Sequence, residues 1–107
     1  MRHLTTDSFD QVIRDSSLPV VVMFYASWCS KCAMMKPVAE DLEAEFLDQI
    51  LFCEVDVDES DILAGEYAGE VVPAFICFQD GTCLGSMSGI IGETLLKQRL
   101  QKIFRKT

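Results

Sequence analysis

Two cysteines, Cys29 and Cys32, are separated by Ser30 and Lys31, a spacing of about one helical turn. Thiols so placed can exchange with disulfides, supply half of a metal site, or sit as unconnected core residues. Their surroundings favour exchange. A short apolar, β-branched run, Val20 to Tyr25, precedes the pair, and a helical pattern begins at Ser30. A cysteine that opens a helix meets unpaired backbone N–H groups and the positive end of the helix dipole, and both favour an anion. A thiolate there is a good nucleophile, so Cys29 is the expected attacking thiol. Cys32 lies on the same face and can attack a mixed disulfide from inside, which makes it the expected resolving thiol. The Cys29–Cys32 disulfide would itself be the electron carrier, with no other cofactor and no metal expected. A zinc ribbon would need a second closely spaced pair, which is absent from the sequence.

Cys53, Cys77 and Cys83 bring the count to five, and an odd number without a leader does not read as a disulfide framework. Cys53 and Cys77 fall in apolar strand patterns, where cysteine packs as a small hydrophobe. Cys83 follows a turn and should be more exposed, with an oxidative role the less favoured reading. Met34 and Met35 read as packing residues. The only histidine, His3, is near the N-terminus and is expected to be neither a metal ligand nor a catalytic base.

The elements that must position the pair are legible in outline. Thr6, Asp7 and Ser8 offer caps to a helix carrying Phe9, Val12 and Ile13 and ending at Ser16-Ser17. The run Val20 to Tyr25 suits a strand buried on both faces. Val38, Leu42 and Phe46 recur at helical spacing, predicting a helix from Ser30 to about Asp48 with a kink at Pro37. Ile50 to Val57 alternates as a strand, with Glu54 and Asp56 facing away from Cys53, Val55 and Val57. A short helix over Ser60 to Tyr67 and a strand over Ala74 to Phe78 come next. Asp80-Gly81 predicts a hairpin into Thr82 to Met87, and Glu93 to Phe104 is a closing amphipathic helix. Met1 to Thr5 can add a short edge strand. A βαβ unit followed by a hairpin predicts an α/β domain, a central mixed β-sheet flanked by helices, spanning residues 1–107.

Composition limits the function classes. The net charge of −8 disfavours nucleic acid and anionic lipid as partners. Pro19 to Ala26, the longest apolar run, is too short to span a bilayer. No apolar signal-peptide core follows Met1-Arg2-His3-Leu4, so a cytoplasmic location is the default expectation.

Over essentially its full length the chain resembles thioredoxins. The matching stretches are His3 to Asp10, Phe24-Tyr25-Ala26-Ser27-Trp28-Cys29-Ser30-Lys31-Cys32, Pro37, Val55 to Asp58, Val72-Pro73-Ala74-Phe75, Asp80-Gly81 and Gly89. The resemblance implies the thioredoxin fold, with Pro73 as a cis-proline beside the cysteines. It implies a substrate-binding surface of Trp28, Val71, Val72, Pro73, Gly89 and Ile90, where the Val72 backbone can pair with an extended substrate segment. It further implies a monomer that acts on protein disulfides and is recharged by a thioredoxin-reductase-like donor.

Two features depart from that pattern. Ser30-Lys31 replaces the usual Gly-Pro, and an ammonium at Lys31 would stabilise a Cys29 thiolate and make the disulfide more oxidising. Thioredoxins also bury an aspartate six residues before the first cysteine, faced by a lysine on the next strand; here these positions are Met23 and Glu54. Two readings of Glu54 stand: an ordinary exposed strand glutamate, or a carboxyl buried behind the pair, its pKa raised by that burial, that serves as substitute proton acceptor for Cys32. A disulfide reductase is the leading reading. A more oxidising or isomerase-like thiol protein, a thioredoxin-fold binding module and a metal site at Cys29 and Cys32 are the alternatives.

Overall fold

Val20–Tyr25 is apolar almost throughout, and it forms the central strand of a five-stranded sheet. The computed structural model describes residues 1–105, so positions 106–107 of the expected domain lie outside the described residues. In chain order the elements are β1 (Arg2–Leu4), α1 (Phe9–Asp15), β2 (Val20–Tyr25), α2 (Ser30–Glu45), β3 (Leu51–Asp56), α3 (Asp61–Tyr67), β4 (Ala74–Gln79), β5 (Thr82–Ser88) and α4 (Glu93–Ile103). The strand order is β1-β3-β2-β4-β5. β3 pairs in parallel with β1 and β2, while β4 runs antiparallel to β2 and β5, so the sheet is mixed as expected.

Alternation along the strands separates two cores, one on each face. Val21, Met23, Phe52, Phe75 and Cys77 pack with Met35, Leu42, Leu96 and Leu100 from α2 and α4. Val20, Val22, Phe24, Cys53 and Val55 pack with Phe9, Ile13 and Leu63 from α1 and α3. On this second face the Phe9 and Phe78 rings meet edge to face at 5.6 Å, and Tyr67 lies 5.4 Å from Phe78. Aromatic pairs at such spacings add to area burial.

Local chemistry sets the element ends. Asp80 and Gly81 both take positive φ, 53° and 79°, as a two-residue hairpin turn requires. α2 runs through Pro37 as one element and stops at Glu45, short of the expected Asp48. There the Phe46 carbonyl accepts from the N–H groups of both Gln49 and Ile50, and Asp48 turns to a φ of 65°. The chain therefore reverses about one turn early and enters β3. The pairing of β2 with β4 brings the end of β2, the start of α2 and the entry to β4 together, where Cys29 meets the Val72 carbonyl.

Neighbouring leucines in α4 test the two-core description, since Leu96 is fully buried and Leu95 is 44% exposed. Leu96→Ala is expected to destabilise the fold by about 2–5 kcal/mol in urea denaturation, and Leu95→Ala by well under about 1 kcal/mol. Equal losses would contradict the packing.

Candidate active site

β2 ends at Tyr25, and the Cys29 N–H donates to the Ala26 carbonyl at 3.2 Å, turning the chain into α2. Cys29 is the N-cap of that helix. Its sulfur accepts from the backbone N–H of Cys32 at 3.2 Å, a contact that Ser or Asp oxygens make at ordinary caps. On its other side the thiol approaches the Val72 carbonyl at 3.8 Å. Cys29 is partly exposed, whereas Cys32 is buried, and both are free thiols.

The two sulfurs differ in acidity. Desolvation pushes the Cys29 thiol up, but the Cys32 thiol, the N–H groups of Cys32 and Lys31, and the Lys31 charge outweigh it and hold Cys29 below the ordinary thiol value. Burial pushes Cys32 up to about 11, helped by its hydrogen bond with Cys29. One sulfur is thus prepared as a nucleophile and the other is held as a protonated thiol. Cys53 and Cys77 are buried and pushed up to about 12 by desolvation, which keeps them inert. Cys83 is exposed.

A shallow groove beside Cys29 is lined by Trp28, Ser30, Lys31, Glu70, Val71 and Val72. Trp28 is 70% exposed, and its Nε1 donates to Asp58 Oδ2 at 2.9 Å, which fixes the indole beside the nucleophile. The Val72–Pro73 peptide is cis, and the Pro73 carbonyl accepts from the Gly89 N–H at 2.9 Å. Gly89 has a φ of 86°, a conformation that suits glycine, and Ile90 beside it is exposed. The structure therefore gathers Trp28, Val71 and Val72 with Cys29 and joins Pro73 to Gly89.

The chain matches the Thioredoxin family model over residues 1–102. It is 32% identical to thioredoxin 1 of Synechococcus elongatus over 92% of each chain. It is 36% identical to a thioredoxin of Mycolicibacterium smegmatis over 91% of this chain and 88% of that one. To the chloroplastic thioredoxin Y2 of Arabidopsis thaliana it is 33% identical over 91% of this chain, which spans 58% of that protein. This chain belongs to the thioredoxin family. Thioredoxins are disulfide oxidoreductases, and the adjacent Cys29 and Cys32 make this member a thiol–disulfide oxidoreductase.

Behind the pair, away from the groove, this thioredoxin has a cavity of about 190 Å3 lined by Met23, Tyr25, Cys29, Cys32, Lys36 and Glu54 among others. Met23 and Glu54 are register partners on β2 and β3. Glu54 is not buried as the acceptor reading expects: its side chain is 17% exposed. The reason is its outer neighbour, since β1 is short and places His3, itself 41% exposed, against the carboxylate. His3 Nδ1 lies 3.0 Å from Glu54 Oε2, and Nε2 lies 2.7 Å from Glu59 Oε1. The sequence does not announce this contact of His3 with the two carboxylates. The one available signal was that a parallel edge strand over Met1 to Thr5 would place it next to β3. Tyr25, also unannounced, has its phenol pushed up to about 12, first by burial and then by Glu54.

At neutral pH iodoacetamide should modify Cys29 before Cys32, as peptide mass spectrometry would record. Lys31→Ala should raise the pH at which Cys29 reacts, modestly because solvent screens an exposed ammonium. An unmoved profile would show that Lys31 does not tune Cys29.

Proposed function

We propose that the chain is a protein-disulfide reductase in which Cys29 attacks, Cys32 resolves and Glu54 accepts the resolving proton. The observation that carries this reading is the contrast between the two sulfurs. Cys29 caps a helix beside an open groove of mixed apolar and charged lining, and Cys32 lies buried on a cavity shared with a carboxylate. An extended substrate segment would lie across Trp28, Val71 and Val72. Pro73, Gly89 and Ile90 would complete that surface.

The Cys29 thiolate attacks one sulfur of the substrate disulfide. A Cys29–substrate bond forms, the substrate's S–S bond breaks, and the departing thiolate takes a proton from water. Cys32 then gives its proton to Glu54 and attacks the Cys29 sulfur. The Cys29–substrate bond breaks, the second substrate sulfur leaves as a thiolate and takes a proton from water, and the Cys29–Cys32 disulfide holds the oxidising equivalents. The substrate has gained two electrons. A reductase with its own dithiol returns them, so the disulfide serves as the carrier without a further cofactor.

Lys31 supports a second reading, a more oxidising thiol protein, because its charge favours the thiolate and hence the reduced form. The reductase reading accords with a reducing compartment such as the cytoplasm. Among the described residues no helix is long and apolar enough to cross a membrane. We take the acting species to be the monomer, since the cysteines and the groove all come from one chain.

Cys32→Ser should trap a stable mixed disulfide between Cys29 and an oxidised protein substrate, visible as a mass increase that dithiothreitol reverses. Cys29→Ser should trap none. Glu54→Gln should slow the second step at neutral pH by roughly 10- to 100-fold, toward the low end of acid–base catalysis because solvent also reaches the carboxylate. An unaltered second step would remove Glu54 from the mechanism.

A further inference from the structure

The carboxylate of Glu54 has two neighbours of different chemistry. On one side it lines the cavity that holds Cys32. On the other, His3 is its register partner across β1 and β3, at 3.0 Å. The second ring nitrogen of His3 meets Glu59 at 2.7 Å. Both nitrogens therefore face carboxylates. An imidazolium can donate to both, whereas a neutral ring can donate to only one.

We propose that His3 is the positioning residue for the proton acceptor: it holds the Glu54 carboxylate at the cavity, and its charge sets how strongly that carboxylate draws the proton of Cys32. This rests on the reading of Glu54 as the acceptor. While His3 is charged, its two ring N–H groups donate to Glu54 and Glu59, and a cation stands beside the carboxylate that would take the proton of Cys32. When His3 loses its proton, that neighbouring cation is gone and proton transfer toward the carboxylate is no longer opposed by it. Resolution should thus quicken as pH climbs through the His3 transition. That transition lies above the ordinary histidine value of 6.5, raised first by the hydrogen bond to Glu54 and then by Glu59.

Other charged groups surround the pair. Asp56 and Glu59 come from β3 and the turn after it, and Tyr25 from β2. Lys36 comes from α2 across the cavity, Arg2 precedes His3 on β1, and the Met1 amine is engaged with Glu43 at 3.1 Å. Of the side chains here, histidine is the type that changes charge near neutrality. Cys29 also titrates, so the resolving step must be observed apart from the attack.

Reaction of the reduced protein with 5,5′-dithiobis(2-nitrobenzoate) in a stopped flow separates them. The first thiolate release depends on reagent concentration; the second, from resolution by Cys32, does not. The pH profile of the second phase is compared for wild type, His3→Gln and Glu54→Gln, with the imidazole titration followed by NMR. The wild-type phase should rise with an inflection at the His3 transition. His3→Gln, which keeps a donor without the charge, should lose that inflection and run faster at pH 6 by roughly two- to fivefold, the range a partly exposed ion pair supplies. Glu54→Gln should be slow throughout and lower the His3 transition. If Glu54→Gln is slow but His3→Gln follows the wild-type profile, the role of His3 is overturned and the acceptor stands. If Glu54→Gln resolves at the wild-type rate, the acceptor reading falls and this inference with it. An unchanged His3 titration in Glu54→Gln would overturn the contact itself.

Discussion

A sulfur atom occupies the cap position of α2, where soluble proteins ordinarily place a hydroxyl or carboxylate oxygen. The N–H of Cys32 points at the Cys29 sulfur, a contact that favours the anion over the neutral thiol. That constraint governs much of the fold around it. β2 must end where α2 begins, and the turn at Ala26 supplies the connection. The entry to β4 must run close by, which brings the Val72 carbonyl to the same sulfur. A short loop between two well-packed elements holds this geometry because both elements belong to the core: Phe24 and Leu42 are fully buried.

The other half of the site depends on the opposite physics. Cys32 is one turn further into the helix, under the surface, and desolvation protects its proton. A dithiol with two equally reactive sulfurs would gain nothing from the arrangement. The difference in burial accords with the proposed order of events, in which the exposed sulfur meets the substrate and the buried one follows. Glu54 lies on the wall of the cavity behind it, with Tyr25 and His3 arranged around the carboxylate. His3 and Glu54 are both partly open to solvent.

Much of this was legible in the chain because it is local. The uninterrupted Val20–Tyr25 run could only be a central strand, Asp80-Gly81 could only turn tightly, and a cysteine pair after a strand and within the first turn of a helix announces its chemistry. What escaped depends on long-range pairing. His3 touches Glu54 across 51 positions, through a parallel pairing at which the possible edge strand over Met1 to Thr5 only hinted. The exposure of Glu54 follows from the shortness of β1, a property of the assembled sheet edge and not of the Glu54 segment. The early end of α2 turns on the Phe46 carbonyl and on Asp48 adopting a left-handed conformation, which neither the apolar spacing nor Pro37 foretold. Trp28 adjoins Cys29 in the chain, but its anchor on Asp58 required the two loops to be brought together.

The central claim is that Cys29 and Cys32 form a reversible two-electron couple poised for reduction of protein disulfides. Equilibration against dithiothreitol or glutathione buffers, with each cysteine's state read by alkylation and mass spectrometry, measures that couple directly. The account predicts one two-electron transition, confined to Cys29 and Cys32, at a strongly reducing potential near about −270 mV. A potential near about −180 mV or above would contradict the reductase assignment, and failure of these two cysteines to form a disulfide would contradict the redox site itself.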